Sequence, residues 1–328
     1  MPSVSVLIVF HRATPFLEPA VRSVLDQTWR DLELVLIDNG TGLGLTPLGL
    51  LARDPRVRLI ARTANDGFAA AFNAGLADSR SEFVALLGYD DISLPQRIEK
   101  QIALLRSEPS LGLASSCAKT IDEQGRITGR SFALIEPRQQ HLFSTYDNPS
   151  PTSTWTGRRE VFERFAFRSL LEPAEDFDFV TRVVESEQIG GLPDVLLHYR
   201  LHAGQVSRER GGDQVLKACV IRLITARRRA GRPENLAAAV DALGAWMTAP
   251  PARSAAYARF ADWCLDEEFH LLAAYFARKL LSVRRDHRGF REAVGVLAQA
   301  LRKAPGRRIQ LARLFFTGSL RTHGLTPL

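Results

Sequence analysis

The chain has 328 residues, of which 45% are hydrophobic and 24% carry a charge, and these fractions are typical of a soluble globular protein. Its length exceeds that of one average domain, so we expect more than one. The formal net charge of +7 indicates an anionic partner, such as nucleic acid, an acidic membrane surface or a phosphorylated substrate.

The cysteines are far apart in the chain and form no paired-cysteine or cysteine–histidine motif (Cys117, Cys219 and Cys264). This spacing argues against a disulfide framework and against a structural zinc site. The N-terminal segment has no basic leader and no small-residue cleavage site, and no apolar run is long enough to span a bilayer. We therefore expect a cytoplasmic protein.

Residues 1 to about 110 alternate short apolar, β-branched runs with helical stretches. The runs that predict strands are Val4–Phe10, Leu32–Asp38, Val57–Ile60 and Phe83–Gly88. Strands that alternate with helices indicate parallel βαβ units, and uninterrupted apolar runs indicate strands covered on both faces. Thr14 and Asp66 are the predicted N-caps of the first two helices. The pattern therefore predicts an open α/β sheet.

The rest of the chain is less regular and then entirely helical. The predicted elements are strands at 111–122, 127–133 and 194–202, a loop at 146–159 and a helix at 174–188. From about residue 215 the chain is rich in Ala, Leu and Arg and shows only helical periodicity. We predict two domains, residues 1–212 and 213–328, of which the second is all-α.

Acidic residues follow two of the predicted strands. Asp38 ends the second strand, and Asp90 and Asp91 follow the fourth. Ligands of open α/β sheets bind beyond the carboxyl ends of the strands, so we expect these carboxylates to face one crevice. Asp38 is equally compatible with a plain turn, because Asp-Asn-Gly favours turns.

Adjacent carboxylates repel each other, so the pair Asp90 and Asp91 needs a compensating interaction. A divalent cation is one candidate, since Mg²⁺ and Mn²⁺ bind through one or two carboxylates together with substrate phosphates. In the alternative interpretation, Asp91 caps the following helix and Asp90 is solvated. Taken in isolation, the pair favours this alternative.

Six segments resemble, in order, the motifs of one enzyme family. They are SVLDQTW (23–29), LELVLIDNGT (32–41), NDGFAAAFNAGL (65–76), LLGYDDISLPQRIEKQ (86–101), AEDFDFVTRVV (174–184) and HYRLH (198–202). Together they resemble the bacterial inverting glycosyltransferases of family 2, which have the GT-A fold. The resemblance covers about Val4 to Ser207. It implies a Rossmann-like, mostly parallel open sheet flanked by helices, followed by an all-α C-terminal region.

The resemblance implies a pocket for a nucleoside-diphosphate sugar, with a UDP-sugar as the favoured donor. Asp38 would contact the base or ribose, and the loop that follows the first strand would line the base pocket. The residues implied to bind the nucleotide sugar are Phe10, His11, Asp38, Asn65, Tyr89 and Asp90.

The same resemblance implies a general base and a metal site. Asp176 matches the base that takes the proton of the acceptor hydroxyl group, with Glu175 beside it. Asp90 matches the metal-binding aspartate, and Asp91 and His202 complete the implied site for Mn²⁺ or Mg²⁺. A structural alternative for Asp176 is a favourable interaction with the dipole of a helix N-terminus.

Two positions depart from the family pattern. Gly88 replaces the first aspartate of the metal motif, and Asn39 replaces the second aspartate of the nucleotide motif. The QxxRW signature of polymer-forming members is absent, so we expect one sugar to be transferred per event. Gly88 also leaves open a second hypothesis, in which the chain is a sugar-nucleotide-binding scaffold without catalysis.

Weaker sequence features bear on the identity of the acceptor and on membrane contact. Trp155 could stack on an acceptor sugar, although a core position is at least as well supported. Arginine-rich stretches at 226–232 and 302–316 are solvated helix faces in one interpretation. In the other interpretation, these stretches contact the acidic inner face of the membrane or a lipid-linked diphosphate acceptor. We expect a glycan or lipid-linked acceptor and no nucleic acid, because no nucleic-acid recognition motif is present.

Overall fold

The structure, a computed structural model, describes residues 2–132, 148, 150–237, 239, 253–266, 270–283, 287–304 and 306. The chain divides into two compact units, Met1–Glu209 and Arg210–Leu328. The sequence prediction put the boundary after residue 212.

One sheet of nine strands runs through the described part of the N-terminal unit. The strands are β1 (Val4–Phe10), β2 (Leu32–Asn39), β3 (Val57–Arg62), β4 (Phe83–Leu86), β5 (Ile92–Ser93), β6 (Leu111–Ile121), β7 (Ile127–Phe132), β8 (Thr156–Arg158) and β9 (Gln188–Arg200). Their order across the sheet is β3-β2-β1-β4-β8-β6-β9-β5, and β7 pairs with β6 outside this path. The helices of this unit are α1 (Leu17–Leu25), α2 (Phe68–Asp78), α3 (Arg97–Ser107), α4 (Arg159–Phe165), α5 (Glu175–Val183) and α6 (Val206–Glu209).

The first half of the sheet is parallel, as the sequence predicts. β1 pairs in parallel with both β2 and β4, and β2 pairs in parallel with β3. Every residue of β1 and β2 is buried. The reason is that α1 and α3 pack against one face of these strands, whereas α2, α4 and α5 pack against the other. Phe10 lies opposite Asp38 in the register, so both strands end at the same edge of the sheet.

The second half makes the sheet mixed rather than mostly parallel. β8 lies between β4 and β6 and is antiparallel to both, although the sequence predicted a loop there. β6 and β9 are parallel neighbours, and β5 pairs antiparallel with the end of β9, with Ile92 opposite His198. This last pairing brings the segment after β9 to the turn that follows β4.

The predicted N-caps are wrong for both early helices. α1 begins at Leu17, and the Thr14 hydroxyl instead accepts a hydrogen bond from the Phe16 amide at 3.3 Å. α2 begins at Phe68 without a side-chain cap from its own segment. The Glu172 carboxylate accepts a hydrogen bond from the Ala69 amide and so serves the start of α2 from a distant part of the chain.

The C-terminal unit is helical in its described residues. Its helices are α7 (Gly211–Arg229), α8 (Arg253–Asp266), α9 (His270–Val283) and α10 (His287–Lys303). Phe260 of α8 and Phe276 of α9 are fully buried, with ring centroids 5.5 Å apart. No helix among the described residues is long and apolar enough to cross a membrane. Most of the arginine-rich stretch 302–316 lies outside the described residues.

Candidate active site

The turn after β4 presents one carboxylate to a histidine. Asp90 Oδ2 lies 2.8 Å from His202 Nε2, and the Asp90 side chain is 16% exposed. The pairing of β5 with β9 produces this contact, and Arg200 strengthens it because its Nε donates to the Asp90 carbonyl oxygen at 2.8 Å. The alternative interpretation, in which Asp90 is simply solvated, therefore does not describe this side chain.

Asp91 turns inward from the same segment. Its side chain is buried, and its Oδ1 atom accepts the Arg200 amide at 2.8 Å while the Ser153 hydroxyl hydrogen-bonds to the same carboxyl group. Burial, and then the nearby Asp90 charge, raise the pKa of Asp91 to about 8. Asp91 does not cap α3, whose N-cap residue is Gln96. Its predicted role as a metal ligand does not fit this geometry, because its oxygens are used inside the turn.

Asp90 and His202 are the groups that suit a divalent cation. In the described part of the chain, no group of three His, Cys, Asp or Glu side chains is arranged to hold a metal ion. Mg²⁺ and Mn²⁺ need no such cage, because they bind through one or two carboxylates plus phosphates and water. Gly88 leaves space here, since a Cβ atom at that position would lie 2.8 Å from Asp90 Oδ1. The donor set thus fits a cation that a substrate diphosphate completes.

Asp176 is the second acidic centre. It lies in the first turn of α5, one residue after Glu175, and its Oδ2 atom accepts hydrogen bonds from Asn148 Nδ2 at 2.9 Å and from Thr152 Oγ1 at 2.8 Å. Burial raises the pKa of the Asp176 carboxyl group, while these donors act in the opposite direction. A carboxylate whose pKa is raised above that of an ordinary aspartate is a stronger proton acceptor.

Tyr199 connects the two acidic centres in space. Burial raises the pKa of the Tyr199 hydroxyl group, and the charges of Asp91, Asp90 and Asp176 raise it further. All three carboxyl groups therefore lie within electrostatic range of one side chain of β9. Asp176 and Asp90 thus both act on Tyr199, and their assembly into one catalytic site stays a prediction.

Asp38 stabilises the loop that follows its own strand. Its side chain is 1% exposed, and it accepts hydrogen bonds from the Thr41 amide at 2.7 Å, the Thr41 hydroxyl at 2.6 Å and the Gly44 amide at 2.9 Å. Burial opposes its charge, but these hydrogen bonds outweigh burial and lower the pKa of Asp38. The turn interpretation describes these contacts, and nucleotide binding by Asp38 stays a prediction.

The neighbouring Asn39 joins the ends of β2 and β3. Its Nδ2 atom donates to Asn65 Oδ1 at 2.8 Å and to the Gly67 carbonyl oxygen at 3.1 Å. Asn39 is 2% exposed, and among the described residues its Oδ1 atom accepts no hydrogen bond. Asn65, a predicted binding residue, is therefore positioned by the residue that departs from the family pattern.

The end of β1 contributes one core residue and one polar residue. The Phe10 side chain is fully buried in the core, so Phe10 offers the base pocket its backbone at most, and its place in that pocket stays a prediction. His11 packs edge-on against Tyr89, with ring centroids 5.6 Å apart, and its Nε2 atom accepts a hydrogen bond from Arg12 Nε at 3.0 Å. Burial, and then the Arg12 charge, lower the pKa of His11. Burial and the Asp90 charge raise the pKa of Tyr89 to about 12.

Several residues at the site were missed by the sequence interpretation. Arg12 forms a bidentate ion pair with Glu209, at 3.0 and 2.9 Å. Arg97 is fully buried beneath the turn and donates to the Leu86 carbonyl oxygen at 2.8 Å. Trp155 is also fully buried, so the prediction that it stacks on an acceptor sugar is wrong and the core interpretation is correct. No local pattern distinguishes a buried arginine from a surface one, because its burial depends on strands distant in the chain.

Known proteins are similar to this chain in sequence and in fold. Residues 5–166 match the family described as glycosyl transferase family 2. An uncharacterized glycosyltransferase of Haemophilus influenzae is 27% identical over 218 residues, which are 63% of this chain and 68% of that protein. The amylovoran biosynthesis glycosyltransferase AmsE of Erwinia amylovora is 28% identical over 204 residues, which are 61% of this chain and 76% of AmsE.

The fold has solved counterparts as well. The structure of S. aureus TarS 1-349 in complex with UDP-GlcNAc superimposes with a TM-score of 0.58 at 13% sequence identity, covering 95% of this chain and 85% of that one. Residues 5–166 therefore match glycosyl transferase family 2, and the chain has a GT-A-like fold and is a glycosyltransferase.

Proposed function

We propose that the chain transfers a single sugar from a nucleoside-diphosphate sugar to a hydroxyl group, with inversion at the anomeric carbon and with a divalent cation. UDP-sugars are the favoured donors, because the TarS fragment was determined in complex with UDP-GlcNAc. The acceptor is a glycan or a lipid-linked molecule of bacterial surface polysaccharide or glycoconjugate assembly, since the related AmsE is named for amylovoran biosynthesis.

The observation that carries this proposal is that consecutive residues contact the two acidic centres: Thr152 donates to the buried Asp176 carboxylate, and Ser153 accepts from the amide of Gly88 in the turn that carries Asp90. An acceptor hydroxyl group is a poor nucleophile, and a positioned base that removes its proton contributes roughly 10²–10⁴-fold in rate. Asp176 would take that proton on the side of the sugar opposite to the leaving group. A single displacement of this kind inverts the anomeric centre.

Asp90 and His202 would hold the cation, which, when bound, supplies the positive charge that a departing nucleoside diphosphate needs. The pKa of the Arg12 guanidinium group is raised by its hydrogen bond with Glu209 and also by the Asp90 charge, which indicates that Arg12 lies within electrostatic range of this pair. Asp38, Asn65 and their loops remain the proposed binding surface for the nucleotide. The localisation that suits this function is cytoplasmic, where activated sugars are made available.

A donor screen tests the function directly. Purified protein is incubated with UDP-, GDP- and dTDP-sugars and Mn²⁺, and release of the nucleoside diphosphate is measured. Asp176→Asn and Asp90→Ala should each abolish turnover without unfolding the chain. Asp194→Asn is the matched control, because Asp194 is a surface residue paired with Lys100. Wild-type rates in both site variants would refute the assignment.

A binding scaffold without catalysis is the second candidate. It is favoured by Gly88, which stands where the family motif carries an aspartate. Calorimetry with UDP separates the two candidates. Binding that requires Mn²⁺, together with donor hydrolysis, supports the enzyme, whereas Mn²⁺-independent binding without hydrolysis supports the scaffold.

Peripheral contact with an acidic membrane surface is a further part of the proposal. Phe290 and Val294 lie one turn apart on α10 and are 57% and 37% exposed, and the neighbouring Arg288 and Arg291 are exposed as well. Apolar side chains beside cationic ones suit the interface of an anionic bilayer. Sedimentation with anionic and neutral vesicles tests this contact, and equal recovery with both would end the idea.

A further inference from the structure

A short 3₁₀ turn, Thr152–Thr154, lies between the two acidic centres. On one side, the Thr152 hydroxyl group donates to Asp176 Oδ2 at 2.8 Å. This hydroxyl and the Asn148 amide are the side-chain donors that the Asp176 carboxylate receives among the described residues. The turn therefore controls one oxygen of the proposed base.

The next residue of the turn contacts the other acidic centre. The Ser153 hydroxyl oxygen accepts a hydrogen bond from the Gly88 amide at 3.1 Å, and the same hydroxyl group hydrogen-bonds to the Asp91 carboxyl group. Two consecutive side chains thus bind two carboxyl groups that are far apart in the sequence. The two hydroxyl groups that make these contacts belong to residues joined by one peptide unit.

The turn itself is held firmly by its surroundings. The Pro151 carbonyl oxygen accepts hydrogen bonds from the Thr154 amide at 2.9 Å and from the Thr154 hydroxyl at 2.6 Å. The Thr154 carbonyl oxygen accepts Gln101 Nε2 at 2.6 Å. Thr154 and Trp155 are fully buried, so movement of the turn would disrupt the core.

We propose that Thr152 and Ser153 are a pair of positioning residues that hold the Asp176 carboxylate in register with the Gly88–Asp91 turn. The inference rests on the proposed function, since it assigns the two acidic centres to proton removal and to the leaving diphosphate. These events take place on opposite sides of one carbon atom, and a misplacement of about 1 Å can cost roughly 10²-fold in rate. A rigid turn that contacts both centres prevents such a misplacement.

Thr152 has a second effect, because its hydroxyl group stabilises the charged form of Asp176. Removing a hydrogen bond to a charged carboxylate raises the pH at which it titrates. Tyr199 faces Asp176 from β9, but it stays neutral because its own pKa is raised. Asp178 on α5 is paired with Arg182, and Arg168 lies 3.6 Å from the same carboxylate. The remaining titratable neighbour on α5 is Glu175.

Thr152→Val, Thr152→Ser and Thr156→Val test the first half of the inference. Thr156→Val is the matched control, because the Thr156 hydroxyl is buried and donates to Gln101 rather than to a carboxylate. The titration of Asp176 is followed by carbon-detected NMR of the side-chain carboxyl groups, with the signal assigned from Asp176→Asn. We expect the midpoint to rise by about one pH unit in T152V and to stay at the wild-type value in T152S and T156V. An unchanged midpoint in T152V, or an equal rise in T156V, overturns the inference.

The transfer reaction supplies the second readout for Thr152. The acid limb of the kcat profile should move upward in T152V by the same amount as the NMR midpoint, with the KM for the donor unchanged. The plateau value of kcat should also fall in T152V, by up to about 10²-fold, because the carboxylate is no longer held in place. A plateau kcat equal to that of the wild type overturns the positioning role, whereas an acid limb that does not follow the midpoint counts against Asp176 as the base. The NMR titration needs no turnover, so it remains informative if the proposed function fails. Failure of the proposed function would be recognised separately, because the Asp176→Asn variant would then transfer sugar as fast as the wild type.

Ser153→Ala tests the other half through binding rather than turnover. We expect Mn²⁺-dependent binding of UDP, measured by calorimetry, to weaken by about tenfold, as found when groups that orient metal ligands are removed. Binding of UDP without Mn²⁺ and the Asp176 midpoint should both be unchanged. Wild-type Mn²⁺-dependent binding in S153A, or a shifted Asp176 midpoint, would overturn the assignment of Ser153.

Discussion

The Nε2 atom of His202 lies 2.8 Å from Oδ2 of Asp90, although 112 residues separate them in the chain. The contact arises because β5, the strand directly after Asp91, pairs with the end of β9. The side chains of His202 and Asp90 are largely buried, at 8% and 16% exposure. If they separated, each would need another hydrogen-bond partner. A cation that binds Asp90 would therefore meet the imidazole group as well.

Replacement of His202 by alanine should weaken the response to Mn²⁺ more than it weakens the fold. We expect transfer at saturating donor to fall by more than about tenfold and the Mn²⁺ concentration for half-maximal rate to rise, because one of two ligands is lost. His198→Ala is the control, since His198 is half-buried on β9 and pairs with Ile92 rather than with Asp90. Equal Mn²⁺ requirements in the wild type and H202A would contradict this assignment.

Replacement of Asp176 by asparagine should remove the base while keeping the side-chain volume. We expect kcat to fall by about 10²–10⁴-fold. In the wild type, the base is active only when it is unprotonated, so the rate falls as the pH drops through the pKa of Asp176. Burial raises that pKa, and the acid limb should therefore lie above the range of an ordinary aspartate. A pH profile of kcat checks both points, and a flat profile between pH 4 and the neutral range would contradict them.

The parallel half of the sheet could be predicted because its signals are local. Largely apolar runs at Val4–Phe10 and Leu32–Asp38 indicate strands covered on both faces, and both are buried strands of the sheet. The family resemblance and the α/β fold class that followed from these motifs are confirmed. β5 and β8 were missed because strands of two and three residues contain no periodicity, and only their partners define them.

The sequence proposed positions for the site but did not contain the burial and hydrogen bonding of its side chains. The sequence identified Asp38 and Asp91 as carboxylates at strand ends, yet both are almost completely buried and hydrogen-bonded within the protein. Asp91 depends on the Arg200 amide, 109 residues away, and Asp176 depends on Thr152, 24 residues away. Such partners are set by tertiary contacts, which the pattern of one segment does not contain.

Gly88→Asp would introduce the aspartate that the family motif usually carries. A Cβ atom at this position would lie 2.8 Å from Asp90 Oδ1 and 2.9 Å from Asp91 Oδ2, so a third carboxyl group would crowd two others. Without a divalent cation, we expect a lower Tm, because like charges are brought together. Addition of Mn²⁺ should raise the Tm of G88D by more than it raises the Tm of the wild type.

Gly88→Ala is the control for this substitution, because it adds the Cβ atom without charge. Thermal unfolding with and without Mn²⁺ separates the steric effect, which both variants share, from the electrostatic effect. A Tm of G88D that does not respond to Mn²⁺ would show that the turn cannot use a further carboxylate.

Asn39→Asp would restore the second aspartate of the nucleotide motif. The Asn39 amide nitrogen donates to Asn65 Oδ1 and to the Gly67 carbonyl oxygen, and a carboxylate would place acceptors against both. We expect the free energy of unfolding to fall by about 1–3 kcal/mol, the cost of a buried group that loses its partner. Urea unfolding measures this loss. An unchanged midpoint would mean that Asn65 and Gly67 rearrange at no cost.

Arg97→Met removes a buried guanidinium group while keeping an unbranched side chain. Arg97 Nη2 donates to the carbonyl oxygens of Leu86 at 2.8 Å and Trp155 at 3.1 Å, at the point where β4 meets the segment before β8. Burial lowers the pKa of Arg97 to about 9, so the group is still charged at neutral pH. Removing it should destabilise the fold by about 1–3 kcal/mol, because buried acceptors are left without donors.

Lys100→Met is the control for Arg97→Met, since Lys100 lies on the same helix but is 36% exposed in an ion pair with Asp194. Exposed pairs contribute only about 0–1 kcal/mol, so K100M should unfold close to the wild type. Urea unfolding followed by circular dichroism compares the two variants. A loss in R97M no larger than that in K100M would mean that the Leu86 and Trp155 carbonyl groups find water instead. The turn that carries Asp90 would then not depend on the buried arginine beneath it.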